Sequence, residues 1–410
     1  MYITTAVQKA VVWYPSVHSS VANLQQSAES IDVADAGYFP QIRAGMTSEF
    51  NNDRVERYGS KDLHKASVSV SQMLYDFGKV SGRVDRAQAL YLAAQAKVLL
   101  SVDQVAKETA HAVLEVQRYH EQQILAKEQI AGIGTIADLV RQRRAMGAST
   151  LSDETQAKAR EDAALASSLQ IRALSRRWEG RLSQLIGLSP LPEVLPQIPA
   201  ELSMACISEN SELLMLPAVM IAEAEQQVAK AEFELSGAEI LPTLSLEGSV
   251  SRDLNNQSVV GSRNEASVMV NVSAPLYQGG GLQASRRAAS YALGAANAEV
   301  TASRLSVSQE LTDAQTMALG YEQRLAVLRG RIDNARQTRD LYRQQYLDLG
   351  TRSFLDLLNA EQEYHQSRIE LSNNQYDLHR MRIDCLYSTG QLRKFFDLND
   401  LVINGVTLQP

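Results

Sequence analysis

Apolar and polar positions alternate with a period of two in four short stretches of the chain. From Lys65, Ala66, Val68 and Val70 alternate with Ser67, Ser69 and Ser71; later Ala266, Val268, Val270, Val272 and Ala274 alternate with Ser267, Met269, Asn271 and Ser273. The stretches QIRAGM from Gln41 and TLSLEGSV from Thr243 do the same, with Ile42, Ala44 and Met46, then Leu244, Leu246 and Val250, on one face. This spacing predicts strands over about 40–52, 65–77, 242–254 and 265–277. A tilted strand of roughly 9 to 12 residues is long enough to cross a bilayer. Tyr38, Phe39, Tyr75, Phe77 and Tyr277 gather at one end of the strands, as a belt at a membrane interface would. A soluble four-stranded sheet over a layer of helices fits the same alternation. If the strands face lipid, four cannot close a barrel and open edges are not tolerated there. Three copies would supply twelve strands around an open lumen.

Between these stretches the apolar period changes to seven. Leu293, Val300, Val307, Ala314, Tyr321, Leu328, Ala335, Tyr342 and Leu349 form one line, and Tyr91, Val98, Val105, Ala112, Tyr119, Ala126, Ile133 and Val140 form its counterpart. A strict period of seven coils helices around one another. Long helices are expected over about 79–143, 150–187, 282–346 and 354–388, the third extending about 98 Å at ~1.5 Å per residue. The last carries two apolar lines, Leu357, Tyr364, Leu371, Leu378 and Cys385, and about 150° away Ile369, Tyr376 and Ile383. Two seams imply two neighbours, in a ring of helices or in a four-helix bundle.

The two halves repeat each other. A shift of 202 positions lays Pro15 on Pro217, Pro40 on Pro242 and Leu74-Tyr75 on Leu276-Tyr277, whereas a shift of 203 lays Gly147 on Gly350, Asp153 on Asp356 and Gly187 on Gly390. The chain therefore reads as a tandem duplication, 1–200 and 201–395 with a tail 396–410, and a one-residue slip near position 145.

Composition narrows the class. With 40 Lys+Arg against 47 Asp+Glu and a net charge of −7, the chain lacks the basic balance of a nucleic-acid binder. No run of 18 apolar residues is present, which excludes a membrane-spanning helix. The opening MYITTAVQKAVVWYP has too short an apolar run for a leader peptide, so the chain is expected to be cytoplasmic, or a mature form with Met1 added. Cys206 and Cys385 lie far apart outside any CxxC motif and are read as two separate structural thiols.

Candidate chemistry is thin. LYDFGKVSGRVDR from Leu74 and LYQGGGLQASRR from Leu276 place glycines before a basic helix, as a phosphate loop would. Gly279, Gly280 and Gly281 are not followed by the Lys-Ser/Thr pair such a loop needs, and Lys79 is followed by Val80. Gly78 and the later triplet are better explained by a sharp strand-to-helix bend, required once per repeat. His365 and His379 are roughly 21 Å apart along one helix, too far to share a metal. Glu361 and His365, one turn apart, are expected to be an exposed polar pair. HExxH and GxSxG motifs and Cys-His pairings are missing, so neither an enzyme nor a cofactor is expected.

The duplicated layout, the two Leu-Tyr junctions and the turn YLDLGTRSFLDLLNAEQ from Tyr346 to Gln362 resemble the TolC family of outer-membrane efflux and secretion ducts, over about residues 5–395. The resemblance implies a mixed, mainly-α fold with transmembrane β: a homotrimer whose twelve-stranded barrel in outer-membrane lipid continues into a coiled-coil barrel of twelve helices across the periplasm. Short helices near the start, middle and end would girdle that tunnel. It further implies a periplasmic adaptor (membrane fusion protein) and an inner-membrane transporter, of ABC type, because a duct has no energy source of its own.

The resemblance also assigns residues. The family's lumen-facing aspartate pair falls on Asp356 and Asn359, so one carboxylate per chain remains to form a ring favouring cations; helix capping would equally explain Asp356, and Asp153 in the equivalent place. Arg352 matches the arginine that helps hold the entrance shut, with Asp153 as its acidic partner; the tyrosine of that latch falls on Leu347, beside Tyr346. Gly147, Leu349, Gly350 and Thr351 stand at the expected adaptor-docking tips. Drug-efflux members often carry a lipidated N-terminal cysteine; its absence near this start tilts the expectation to type I protein secretion, with multidrug efflux as the alternative. The competing class is a soluble coiled-coil scaffold.

Overall fold

The computed structural model describes residues 1–50, 62–206, 216–254 and 264–407. Helices α1 (Ile3–Trp13) and α2 (Pro15–Asp35) lead into β1 (Gln41–Phe50), β2 (Asp62–Tyr75), α3 (Lys79–Ala145) and α4 (Leu151–Ile186). The order then repeats with α5 (Pro217–Ala238), β3 (Thr243–Asp253), β4 (Asn264–Ser273), α6 (Gly281–Gln344) and α7 (Phe354–Ser388), followed by α8 (Leu392–Phe395) and a two-stranded ribbon, β5 (Val402–Ile403) and β6 (Val406–Thr407). Residues 51 and 52, where the first strand was expected to end, lie outside the described residues. β4 stops at Ser273, short of the expected 277, because Pro275 has no N–H to offer the ladder.

The chain forms two compact units, each drawn from both halves: Ala22–Lys97 with Ala218–Ser303, and Met1–Val21 with Val98–Pro217 and Arg304–Pro410. The first is organised by an antiparallel sheet in the order β1-β2-β3-β4. Its register pairs Ile42 with Val70, Val70 with Gly248 and Gly248 with Val268, and likewise Ala44, Val68, Val250 and Ala266. Directly opposed residues share a face, so one face is mostly Ile, Val, Leu, Ala and Met, with Gln72 opposite Leu246 and Arg252 between Ala66 and Asn264 at its ends. The other carries Ser67, Ser69, Ser71, Glu247, Ser249 and Asn271. The apolar face is uncovered: Ile42 keeps 71% of its surface and Val268 78%. Beside the sheet, α5 is tied to the start of α3 by Arg86–Glu232 at 2.7 Å and Lys97–Glu225 at 3.0 Å.

In the other unit α1 packs on α4, burying Ile3, Ala6, Val7, Ala10 and Val11. Gly187, in the left-handed region at φ +66°, ends α4 where a Cβ would collide with the Trp13 ring. Between α3 and α7 runs a polar seam: Lys107 and His111 on Asp384 at 3.2 and 3.1 Å, Arg118 on Asp377, and Gln122 Nε2 donating to Asn373 at 2.8 Å. Burial pushes the Asp384 carboxyl up, but His111 and Lys107 outweigh it and hold the group below its ordinary value.

Two expectations are corrected here. Cys206 and Cys385 are not separate thiols: the 3-10 turn Ala200–Met204 packs on α7, the two Cα atoms come within 5.4 Å, and the sulfurs are bonded. Nor is the Glu361–His365 pair exposed. The two side chains are buried 3.1 Å apart, because α7 presents this turn to Gly132 of α3, where any Cβ would collide with Glu361 Oε1.

The heptad lines mark the buried sides of the long helices. Val300, Val307, Ala314, Leu328 and Ala335 are buried on α6, as are Val98, Val105, Ala112, Ala126, Ile133 and Val140 on α3. Leu349, the last position of its line, is exposed, because the backbone leaves α-helical register just before it: Gln345–Leu349 is a π-turn. Along α6 a second line at the same spacing, Tyr291, Ala298, Leu305, Thr312, Leu319 and Ala326, faces outward and is exposed throughout.

Candidate functional site

The candidate residues converge on two helix turns. In the α3–α4 turn, Gly147 adopts φ +74° and its N–H bonds to Arg144 O at 2.9 Å, while Ala148 N–H bonds to Arg143 O at 2.8 Å, closing the end of α3. Thr150 then caps α4 reciprocally: its hydroxyl accepts from Asp153 N–H at 3.1 Å, and the Asp153 carboxylate accepts from Thr150 N–H at 3.0 Å. That backbone bond, opposed by slight burial and aided by the Thr150 and Ser149 hydroxyls, holds the Asp153 carboxyl below its ordinary value.

The α6–α7 turn has the same plan with one difference. Ser353 and Asp356 form the same reciprocal cap on α7, at 3.2 and 3.4 Å. Before it, the π-turn holds one residue more than an α-turn would, which is what a change of shift from 202 to 203 requires in the second copy. Gly350 follows at φ +61°, a conformation only glycine adopts without strain.

Arg352 and Asp153 are not brought together within the chain. Arg352 Nε donates to Gln345 Oε1 at 3.1 Å, its guanidinium lies 4.4 Å from the Tyr342 ring, and its ion pair, at 3.9 Å, is with Asp356. Asp356 and Asn359 lie one turn apart on α7; Asp356 is half exposed, and Asn359 is exposed and accepts from Arg160 of α4 at 3.4 Å. Space around Gly147 and Gly350 is open, and Leu349, Thr351 and Met146 are exposed beside them. Sequence reasoning missed Met146, and with it Arg143, whose Nη1 donates to the Tyr346 carbonyl at 3.0 Å. The one signal for that contact was the register slip itself.

At the strand-to-helix bends, Gly78, Gly279 and Gly280 take φ of +94°, +62° and +82°, and Gly281 begins α6. Asp76 caps α3, its carboxylate accepting from Gly78 N–H at 3.0 Å and Val80 N–H at 2.7 Å, so the cap holds the helix's own amides rather than a phosphate. Among the described residues no three His, Cys, Asp or Glu side chains are grouped to hold a metal ion, and no helix is long and apolar enough to cross a membrane.

The chain matches the family model described as outer membrane efflux protein over residues 6–188 and 210–389. It is 25% identical over 400 residues to the outer membrane efflux protein BepC of Brucella suis, covering 95% of this chain and 85% of that one. It is 24% identical over 351 residues to the alkaline protease secretion protein AprF of Pseudomonas aeruginosa, covering 80% and 69%. Its fold superposes on the crystal structure of the outer membrane protein VceC of Vibrio cholerae with a TM-score of 0.83, at 18% identity, over 95% of this chain and 96% of that one.

Proposed function

The chain belongs to the outer membrane efflux protein family, the TolC family, and is an outer-membrane protein; from that premise we propose that three copies form a conduit whose twelve strands line a barrel in lipid. One observation carries this reading: the sheet has a largely apolar face that no described residue covers, and its edge strands β1 and β4 have no further strand partner among the described residues. Water-facing sheets hide such a face and such edges; a bilayer solvates the face, and neighbouring copies pair the edges. The exposed heptad line on α6 supports the same assembly, since it offers a second seam to the helix of a neighbouring copy. Each chain contributes two repeats, 1–200 and 201–395, with 396–410 as a tail.

The conduit does no chemistry. It passes substrate received from an inner-membrane transporter of ABC type through a periplasmic adaptor, which docks on the turns at Gly147, Leu349, Gly350 and Thr351, where the exposed Met146 and Leu349 supply apolar contact. The Asp356 carboxylates of three chains form a ring at the entrance that favours cations. Arg352 and Asp153, each satisfied by its own turn within one chain, meet across neighbouring copies in the closed state, and the adaptor shifts the population toward the open one. Type I protein secretion is the preferred assignment, supported by the likeness to a relative named for protease secretion; the likeness to a relative named for efflux supports drug export instead.

Single-channel recording in planar bilayers tests the reading. Trivalent cations should block the wild-type pore and block Asp356→Asn less, and Arg352→Ser should conduct more. Undiminished block would remove Asp356 from the pore. Removing the gene from its native strain separates the two assignments: secretion predicts loss of a protein from the medium, efflux a gain in drug sensitivity.

A further inference from the structure

The π-turn at Gln345–Leu349 redirects a carbonyl. In an α-helix the Tyr346 carbonyl would accept the N–H of Gly350, four residues on. Here that N–H bonds to Gln345 O, and Thr351 N–H bonds to the same oxygen at 3.2 Å. The Tyr346 carbonyl is thereby released, and Arg143 Nη1, from the last turn of α3, donates to it at 3.0 Å. The same guanidinium lies 4.6 Å from the Tyr346 ring centroid, within the range of a cation–π contact. The ring itself is buried with Phe354, Leu357, Val140 and Ala157, so its position is set by packing from α3, α4 and α7.

A single cation on the first helix turn thus holds both the backbone and the ring of the second. Arg352 makes no such bridge, since its partners Gln345, Tyr342 and Asp356 belong to its own hairpin. We propose that Arg143 is the clasp that joins the two helix turns within each chain, and that the π-turn exists to aim the Tyr346 carbonyl at it. This rests on the reading of the turns as the entrance of the conduit. Arg143 is then a positioning residue: it touches no substrate and sets how far the α6–α7 turn stands from the α3–α4 turn. Opening requires the guanidinium to give up this backbone acceptor and the ring beneath it, so the clasp biases the entrance toward its narrow form.

Two readouts on Arg143→Ala and Arg143→Lys test the clasp. Hydrogen exchange should speed at the Gly350 and Thr351 amides by tenfold or more in the alanine variant and by less in the lysine variant, which keeps the charge without the planar fork. Single-channel conductance of the reconstituted protein should rise at least twofold in the alanine variant. Unchanged exchange over 345–351 would overturn the clasp whatever the conductance. Faster exchange with wild-type conductance would overturn its role at the entrance. A wild-type protein that forms no pore would defeat the conduit reading instead, and the exchange result would still decide whether Arg143 holds the turn.

Discussion

Lysine at Val268 and lysine at Met269 should have very unequal consequences, although the residues are neighbours in the middle of β4. Val268 lies on the apolar face, opposite Gly248 and two positions from Val270. If that face meets hydrocarbon, a lysine there costs about 2–4 kcal/mol per chain near the bilayer midplane, or roughly 30- to 1,000-fold in the folding equilibrium. Met269 lies on the other face, directly opposite Glu247, so a lysine there gains an opposite charge across the strands and should stay within about 0.5 kcal/mol of wild type. The assay is folding into lipid vesicles across a urea series, read by the heat-sensitive mobility of the folded protein on gels. Equal penalties at the two positions, or a larger one at Met269, would refute the assignment of faces. A Val268→Lys variant that folds normally in detergent-free buffer would refute the membrane setting as well.

Reducing the Cys206–Cys385 bond, whose partners are 179 residues apart, releases a loop whose closure entropy is worth up to about 5 kcal/mol. Denaturant midpoints should therefore fall on reduction, and thiols should titrate only afterwards; two free thiols in unreduced protein would contradict the bond. Burial, reinforced by the nearby Arg382 charge, lowers the His379 pKa from 6.5 to about 4. Because its folded value is depressed, the stabilisation is full above pH 6.5 and is lost as pH falls toward 4, by up to about 3 kcal/mol. Melting temperatures across that window should drop less in His379→Gln than in wild type, and parallel slopes would show that His379 is not the group responsible.

The parts of the molecule visible in its sequence are those with local periodicity. Alternation at 66–71 and 266–273 places side chains on faces without any tertiary knowledge, and Thr150-x-x-Asp153 and Ser353-x-x-Asp356 announce helix starts because both halves of each cap sit within four residues. What depended on distant packing was hidden. Nothing near Glu361 reveals that Gly132 will clear space for it, and nothing near Cys206 selects Cys385. At the two helix turns, residue types were readable but partners were not: Arg352 and Asp153 each have a local acceptor or donor that wins within the chain, while bonds between the hairpins go to Arg143 and Arg160. A π-turn leaves little trace in composition; here the one-residue slip between the halves was its only mark.

The mass of the purified complex tests the central claim most directly. Native mass spectrometry from detergent should find three copies of the 45.1 kDa chain, because four strands with an uncovered apolar face cannot seal a pore alone. A single-copy species, monodisperse in plain buffer without detergent, would contradict the account.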